Sequence, residues 1–171
     1  MDDQGFGLAE PSEARRNLAR DKSAVETLDP REASPATTIH TLLSKMWPDV
    51  VIECSGTVPG LRDAITAAGL AGTVVAAGFY AGDAGGLCMG EEFLHNRVTL
   101  KASMHVWGCP SRFPDRWDRT RTLREVWHLL DQHKLDLSGF VTGHFPFEQA
   151  QQAFEAIHAD PGKYFKVALT F

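Results

Sequence analysis

The chain has 171 residues, 43% of them hydrophobic and 23% charged, with a formal net charge of -5. That length suits one domain or slightly more, with enough chain to bury a core, and an acidic chain without a Lys/Arg block argues against nucleic-acid and anionic-membrane partners. No apolar run approaches the ~20 residues of a membrane span and the acidic, polar start is no signal peptide, so a soluble, cytoplasmic protein is expected.

Gly5 to Glu10 reads as a short apolar strand ending in an acid. Pro11-Ser12-Glu13 opens a helix running through Ala14 to Arg20, with proline where a missing donor is harmless and an acid in the first turn. Ala24 to Leu28 is a second short strand, closed by Asp29-Pro30. Ser34-Pro35 starts another helix, with Ile39, Leu42 and Leu43 on its buried stripe. The run Val50-Val51-Ile52 is too apolar for a sheet with one wet face. Leu61, Ala64, Ile65 and Ala68 have helical spacing, and Gly69 to Gly72 ends that helix. Thr73 to Gly78 is another buried strand, Gly82 to Gly86 a flexible loop, and Val98 to Ser103 a last strand of this pattern.

Short apolar strands alternating with amphipathic helices predict a parallel sheet covered on both faces. The pattern stops near Val106. A Pro/Arg/Trp-rich segment from Trp107 to Trp117 follows, then a helix with Leu123, Val126, Trp127 and Leu130 in register. A further helix carries Ala150, Ala153, Phe154 and Ile157, and an alternating strand carries Val167, Leu169 and Phe171. Cys54, Cys88 and Cys109 are too few and scattered for a disulfide framework, and are expected as reduced thiols. His128 and His133 do not share a helix face, so no metal site is predicted.

In doubly wound sheets ligands lie beyond the carboxyl ends of the strands. This selects Glu10, Glu53 to Gly56, Gly78 to Tyr80 and Ser103 to His105. An acid such as Glu10 can accept hydrogen bonds from both hydroxyls of an adenosine ribose and repel a 2′-phosphate, favouring NAD over NADP; the alternative is a solvated carboxylate opening a helix. Arg15 or Arg16 can reach the same ribose, which would make NADP tolerable, or be solvated. Ser55-Gly56-Thr57 leaves room for adenine or is simply a tight strand-to-helix turn. Gly78 and Ser103 offer backbone groups to a nicotinamide carboxamide, and His105 does the same or is a packing imidazole. Gly5-Phe6-Gly7 does not begin a phosphate loop, since Glu10 stands where the third glycine belongs and no strand precedes it.

Several stretches together resemble the medium-chain dehydrogenase/reductase superfamily, the zinc-type alcohol dehydrogenase relatives. They are Glu10 to Arg16 with Leu18-Ala19, Asp49 to Gly56, Gly72 to Val75 with Gly78, Phe140 to Ala150, and Lys166 to Phe171. Their order and spacing match about the C-terminal half of a typical member. The resemblance implies an incomplete Rossmann-type parallel sheet in residues 1–105, lacking the first strand and glycine loop. Residues 106–171 would then be a tail of the GroES-like catalytic domain. It maps Glu10 to the ribose acid, Arg15 to its basic neighbour, Ser55 and Gly56 to the adenosine wall, Gly78, Ser103 and His105 to nicotinamide contacts, and Lys166 to the pyrophosphate.

The implied reaction is hydride transfer between a small alcohol or carbonyl substrate and nicotinamide, with zinc in the full-length family member. The family's zinc ligands, proton relay and structural-zinc cysteines fall outside this chain, so no catalytic or metal residue is assigned. Losing the glycine loop removes two or three charge-assisted bonds to the pyrophosphate, at ~1.5–3 kcal/mol each, and weakens binding by several powers of ten. The missing strand would lie between the Glu10 and Val50 strands and leave exposed edges on both sides. The isolated chain is therefore expected to be catalytically silent. The alternatives are a non-catalytic remnant that assembles through those edges, as a homo-oligomer or with a partner, and a small-molecule methyltransferase, which also needs an early glycine loop.

Overall fold

The computed structural model describes residues 6–23, 26–42, 47–103 and 117–171. It divides into two compact units, one of Met1–Pro11 with Val25–Val106 and one of Ser12–Ala24 with Trp107–Phe171.

In the first unit, β1 (Gly7–Ala9) pairs in parallel with β2 (Glu26–Leu28), with Leu8 opposite Thr27. A separate parallel sheet holds β3 (Val50–Glu53), β4 (Thr73–Ala76) and β5 (Thr99–Ala102) in that order. Its register sets Val51 beside Val74 and Leu100, and Ile52 beside Val75 and Lys101. No described strand joins the two sheets: β1 pairs with β2 alone and β3 with β4 alone, so each keeps a free edge among the described residues.

Two helices build the core of this unit. Helix α2 (Pro35–Leu42) packs on β1 and β2 and against α3 (Val58–Ala67). Leu28 and Ile39 meet in the smaller cluster. Thr57 starts α3 by accepting the Gly60 N–H at 3.1 Å, and Pro59 sits in the first turn, where its absent donor is harmless. The stripe Leu61, Ala64, Ile65 and Ala68 then packs on Val74 and Val98, with Val51, Tyr80, Leu87 and Phe93 around it.

The opposite face of the second sheet corrects the expectation of cover on both sides. Val50 is 58% exposed and Ile52 63%. The alternation of a strand sends Val51 to α3 and its neighbours the other way, and no described element of this unit shields them. The sequence reading stands for one face only.

In the second unit, α1 (Glu13–Ser23) lies with α4 (Arg119–Asp131), α5 (Ala150–Ala159) and a parallel pair, β6 (Val141–Pro146) with β7 (Lys166–Thr170). Lys22 of α1 forms an ion pair with Asp136 and donates to the Ser138 hydroxyl. Arg15 donates to the Pro161 carbonyl at 3.3 Å, and its guanidinium lies 5.5 Å from the Phe165 ring centroid. The predicted apolar stripe of α4 exists as spacing but not as a buried face: Leu123, Val126 and Trp127 are exposed. In α5 Ala153 is buried and Phe154 projects outward.

Strand β6 has no counterpart in the sequence reading. Gly143 and Pro146 break any alternation, and the strand exists through pairing with β7, with a register shift between Val141 and Gly143. Gly143 is buried, and a Cβ there would stand 3.0 Å from the Tyr164 ring. The expectations for Leu43, His105, Cys109 and most of the Trp107 to Trp117 segment lie outside the described residues. Cys54 and Cys88 are free thiols at the surface.

Candidate functional site

Within each sheet all strands are parallel, so their carboxyl ends share one edge. Glu10 follows β1, Ser55 and Gly56 follow β3, Gly78 follows β4, and Ser103 follows β5. All five belong to the first unit, whereas Arg15 and Lys166 belong to the second.

Glu10 is half-buried, and its N–H is fixed to the Leu28 carbonyl at 3.1 Å. The turn it enters is held by Arg31, which the sequence reading did not single out. Its guanidinium donates to both oxygens of Asp29 and to the Pro11 carbonyl at 2.6 Å. The bond and charge of Asp29 raise the Arg31 pKa above its ordinary value, and Glu10 adds to that field. The Arg31 charge is thus spent chiefly on Asp29, with Glu10 the smallest of the named contributions.

The loops after β3 and β4 are joined through Glu53, the buried charged side chain recorded among the described residues. Its carboxylate accepts the Ser55 N–H at 2.6 Å, the Gly56 N–H at 3.2 Å, the Ser55 hydroxyl and the Tyr80 hydroxyl. Its main-chain carbonyl accepts the N–H groups of Ala77 at 2.8 Å and Gly78 at 3.0 Å. Burial pushes the carboxyl pKa up, but the bonds from Ser55, Tyr80 and the two amides outweigh it and hold the group below its ordinary value. Burial also pushes the Tyr80 phenol up, and the bond to Glu53 pushes it further the same way.

The glycines close this junction. Gly56 has φ +67°, and a Cβ there would lie 2.4 Å from the Phe79 carbonyl oxygen. A Cβ on Gly78 would lie 2.2 Å from the Gly56 nitrogen. The close approach these residues allow is thus of one loop to the other. The Ser55 hydroxyl is engaged within its own turn, accepting the Thr57 N–H at 3.2 Å and sharing a bond with Thr57 Oγ1 at 2.9 Å. What this turn can offer a ligand is its backbone surface. Ser103 anchors to the Ala76 carbonyl through its N–H at 3.0 Å and its hydroxyl at 3.3 Å.

A cleft of about 220 Å³ lies elsewhere, lined by Arg62, Ile65, Thr66, Leu87, Cys88, Glu91 and Glu92, and none of the strand-end residues borders it. Among the described residues no three His, Cys, Asp or Glu side chains gather as a metal site, so the donor set there does not fit zinc. Among the described residues no glycine loop stands at these strand ends to supply donors to a pyrophosphate. No described helix is long and apolar enough to cross a membrane.

This arrangement of parallel strands and covering helices is that of a Rossmann-type α/β fold. The chain matches the zinc-binding dehydrogenase family over residues 7–121, and it belongs to that family. It is 27% identical over 165 residues to the D-guloside 3-dehydrogenase of Escherichia coli K12, covering 95% of this chain and 46% of that protein. It is 30% identical over 161 residues to the L-threonine 3-dehydrogenase of Pyrococcus furiosus, covering 94% of this chain and 42% of that protein. The chain thus spans under half the length of the curated relatives it matches, as a C-terminal portion would.

Solved structures share the fold. L-idonate 5-dehydrogenase from Escherichia coli superposes with a TM-score of 0.75 at 17% identity, over 98% of this chain and 43% of that one. An Escherichia coli CFT073 alcohol dehydrogenase solved with NADH gives 0.74 at 16% identity, over 98% and 45%.

Proposed function

We propose that this chain is the adenosine-binding and carboxyl-terminal part of an NAD-dependent, zinc-type alcohol dehydrogenase, silent in catalysis when isolated. The observation that carries the reading is Glu10, an acid at the carboxyl end of a parallel strand in a chain matched to zinc-binding dehydrogenases from residue 7 onward. Residues 1–105 act as the cofactor half, and 106–171 as the tail that serves the catalytic domain.

Glu10 would hold the ribose hydroxyls, while Ser55 and Gly56 wall the adenosine. Gly78, Ser103 and His105 would face the nicotinamide, with Arg15 and Lys166 as cations toward the ribose and the pyrophosphate. The cofactor, when bound, supplies the hydride acceptor. The residues of this chain orient it, and among those described no three His, Cys, Asp or Glu side chains gather to hold a metal ion. NADP is the secondary cofactor, tolerated where Arg15 or Arg16 dominates at the ribose.

The test is an NAD(P)-linked turnover assay on the purified, zinc-supplied chain, together with an NMR titration by AMP and NAD⁺. No alcohol oxidation and weak, Glu10-dependent binding are expected. Robust turnover would refute the silence, and a Glu10→Ala variant binding AMP as the parent does would refute the ribose role.

A second reading rests on a separate observation: the bare Val50 and Ile52 face and the edges of β1 and β3 left unpaired among the described residues suit assembly with another chain. Light scattering decides it. A stable monomer at high concentration counts against assembly.

A further inference from the structure

Glu53 is a carboxylate at 5% exposure with every acceptor position engaged. Two of its four donors are N–H groups of its own turn, one is the Ser55 hydroxyl, and the fourth is Tyr80 from the loop after β4. An ionised carboxylate offers about four lone-pair sites, so the set is complete and nothing remains for a ligand. Glu53 therefore cannot contact a cofactor itself.

Stability alone gives a poor account of a charge in this place. Burying an ion carries a large desolvation penalty, and apolar residues of similar volume often stabilise as well or better. What a carboxylate does that an apolar side chain cannot is fix several donors in one arrangement. Here those donors belong to the two loops that stand at the carboxyl ends of adjacent parallel strands, where ligands of such sheets bind. Gly56 and Gly78, without side chains, let the same loops meet backbone to backbone.

We propose that Glu53 is a positioning residue for cofactor binding, clamping the Ser55–Gly56 turn, the wall on which the adenosine of a nicotinamide dinucleotide rests, to the Gly78–Tyr80 loop beside it. This rests on the cofactor reading above and adds a residue to it. Ser55 and Gly56 form the surface, and Glu53 with Tyr80 sets its shape.

The test uses the full chain and two variants. Glu53→Gln keeps the volume but turns an NH₂ group toward donors. Tyr80→Phe keeps the charge and removes one donor. Amide hydrogen exchange is read at Ser55, Gly56 and Val74, and AMP and NAD⁺ affinities are read by NMR titration.

For Glu53→Gln, exchange at Ser55 and Gly56 should rise about tenfold or more and both affinities should fall about tenfold, with Val74 protection retained. For Tyr80→Phe the same pattern is expected at about threefold. Should Glu53→Gln fail to fold, Tyr80→Phe carries the test alone. Unchanged affinity in the folded variants, or protection lost equally at Val74, would overturn the proposal. If the parent chain binds neither AMP nor NAD⁺, the cofactor reading itself fails. That result is distinct from a parent that binds and a variant that binds equally well.

Discussion

Replacing Gly78 with alanine tests the loop junction most directly. The added Cβ would stand 2.2 Å from the Gly56 nitrogen and 2.4 Å from its Cα, against 3.4–4 Å for ordinary contact. Both obstacles are backbone, so no side chain can rotate away, and the loops must part by roughly 1 Å. That separation breaks the bonds that cross between the loops, the Gly78 N–H to the Glu53 carbonyl at 3.0 Å and the Tyr80 hydroxyl to its carboxylate. At ~1–1.5 kcal/mol each, with a buried carboxylate left short of a donor, the loss is ~3–4 kcal/mol. The smaller entropy of the unfolded alanine chain returns up to ~1 kcal/mol, leaving ~2–3 kcal/mol. With a urea slope of ~1–3 kcal/mol/M, the midpoint should fall by about 1 M or more. Gly85→Ala is the control: nothing lies within 4 Å of its added Cβ, and the change should stay within ~0.5 kcal/mol. If the two variants unfold at the same urea concentration, the junction is not tight and the reasoning fails.

The remaining predictions concern pH, the second unit and the bare face. Because Glu53 is held below its ordinary pKa, its contribution is fully present above the unfolded value of about 4.3 and is lost as pH falls through the lower folded value. Tyr80 is raised, so its share persists below about 10 and is lost as pH rises through its folded value. Glu53→Gln should therefore flatten the acid limb of a urea-midpoint profile against pH; an unaltered limb would refute the assignment. Ala153 is buried in α5, so Ala153→Leu should overpack the site and destabilise by ~1–3 kcal/mol in thermal unfolding, while Phe154→Ser, on the exposed side, should change little. Ile52→Lys on the bare face should leave the stability read by urea unfolding within ~0.5 kcal/mol and reduce light scattering at high concentration; a large destabilisation would mean that this face is covered.

The elements that were legible in the sequence carry their signal locally. Helix α3 has its apolar spacing, its capping threonine and its proline within a dozen residues, and β3 and β4 are short unbroken apolar runs. Strand β6 carries no such signal, because Gly143 and Pro146 hide a period that only the pairing with β7 restores. The exposure of Val50 and Ile52 was equally hidden: an apolar run states what a strand can bury, and its neighbours decide what it does bury.

The strand-end residues Glu10, Ser55, Gly56, Gly78 and Ser103 followed from the rule that parallel strands present ligands at their carboxyl ends. The clamp did not follow. Glu53 and Tyr80 are 27 residues apart, and their meeting depends on the β3–β4 register. An acid closing an apolar strand just before Ser-Gly was the available hint, since it can accept the amides of the turn that follows. Arg31 was less visible still, as its bond to the Pro11 carbonyl spans 20 residues.

The path of the chain through its two units bears on how the protein can be divided. Helix α1 lies between β1 and β2 in sequence, yet its ties run to Asp136, Ser138 and Pro161. A cut near residue 105 would strip this helix of those three anchors and leave a charged, partnerless segment looped out of the amino-terminal product. Expression of the halves as separate polypeptides should thus give one fragment with an unanchored insertion and another missing a helix. Mixing the two would be required to restore either.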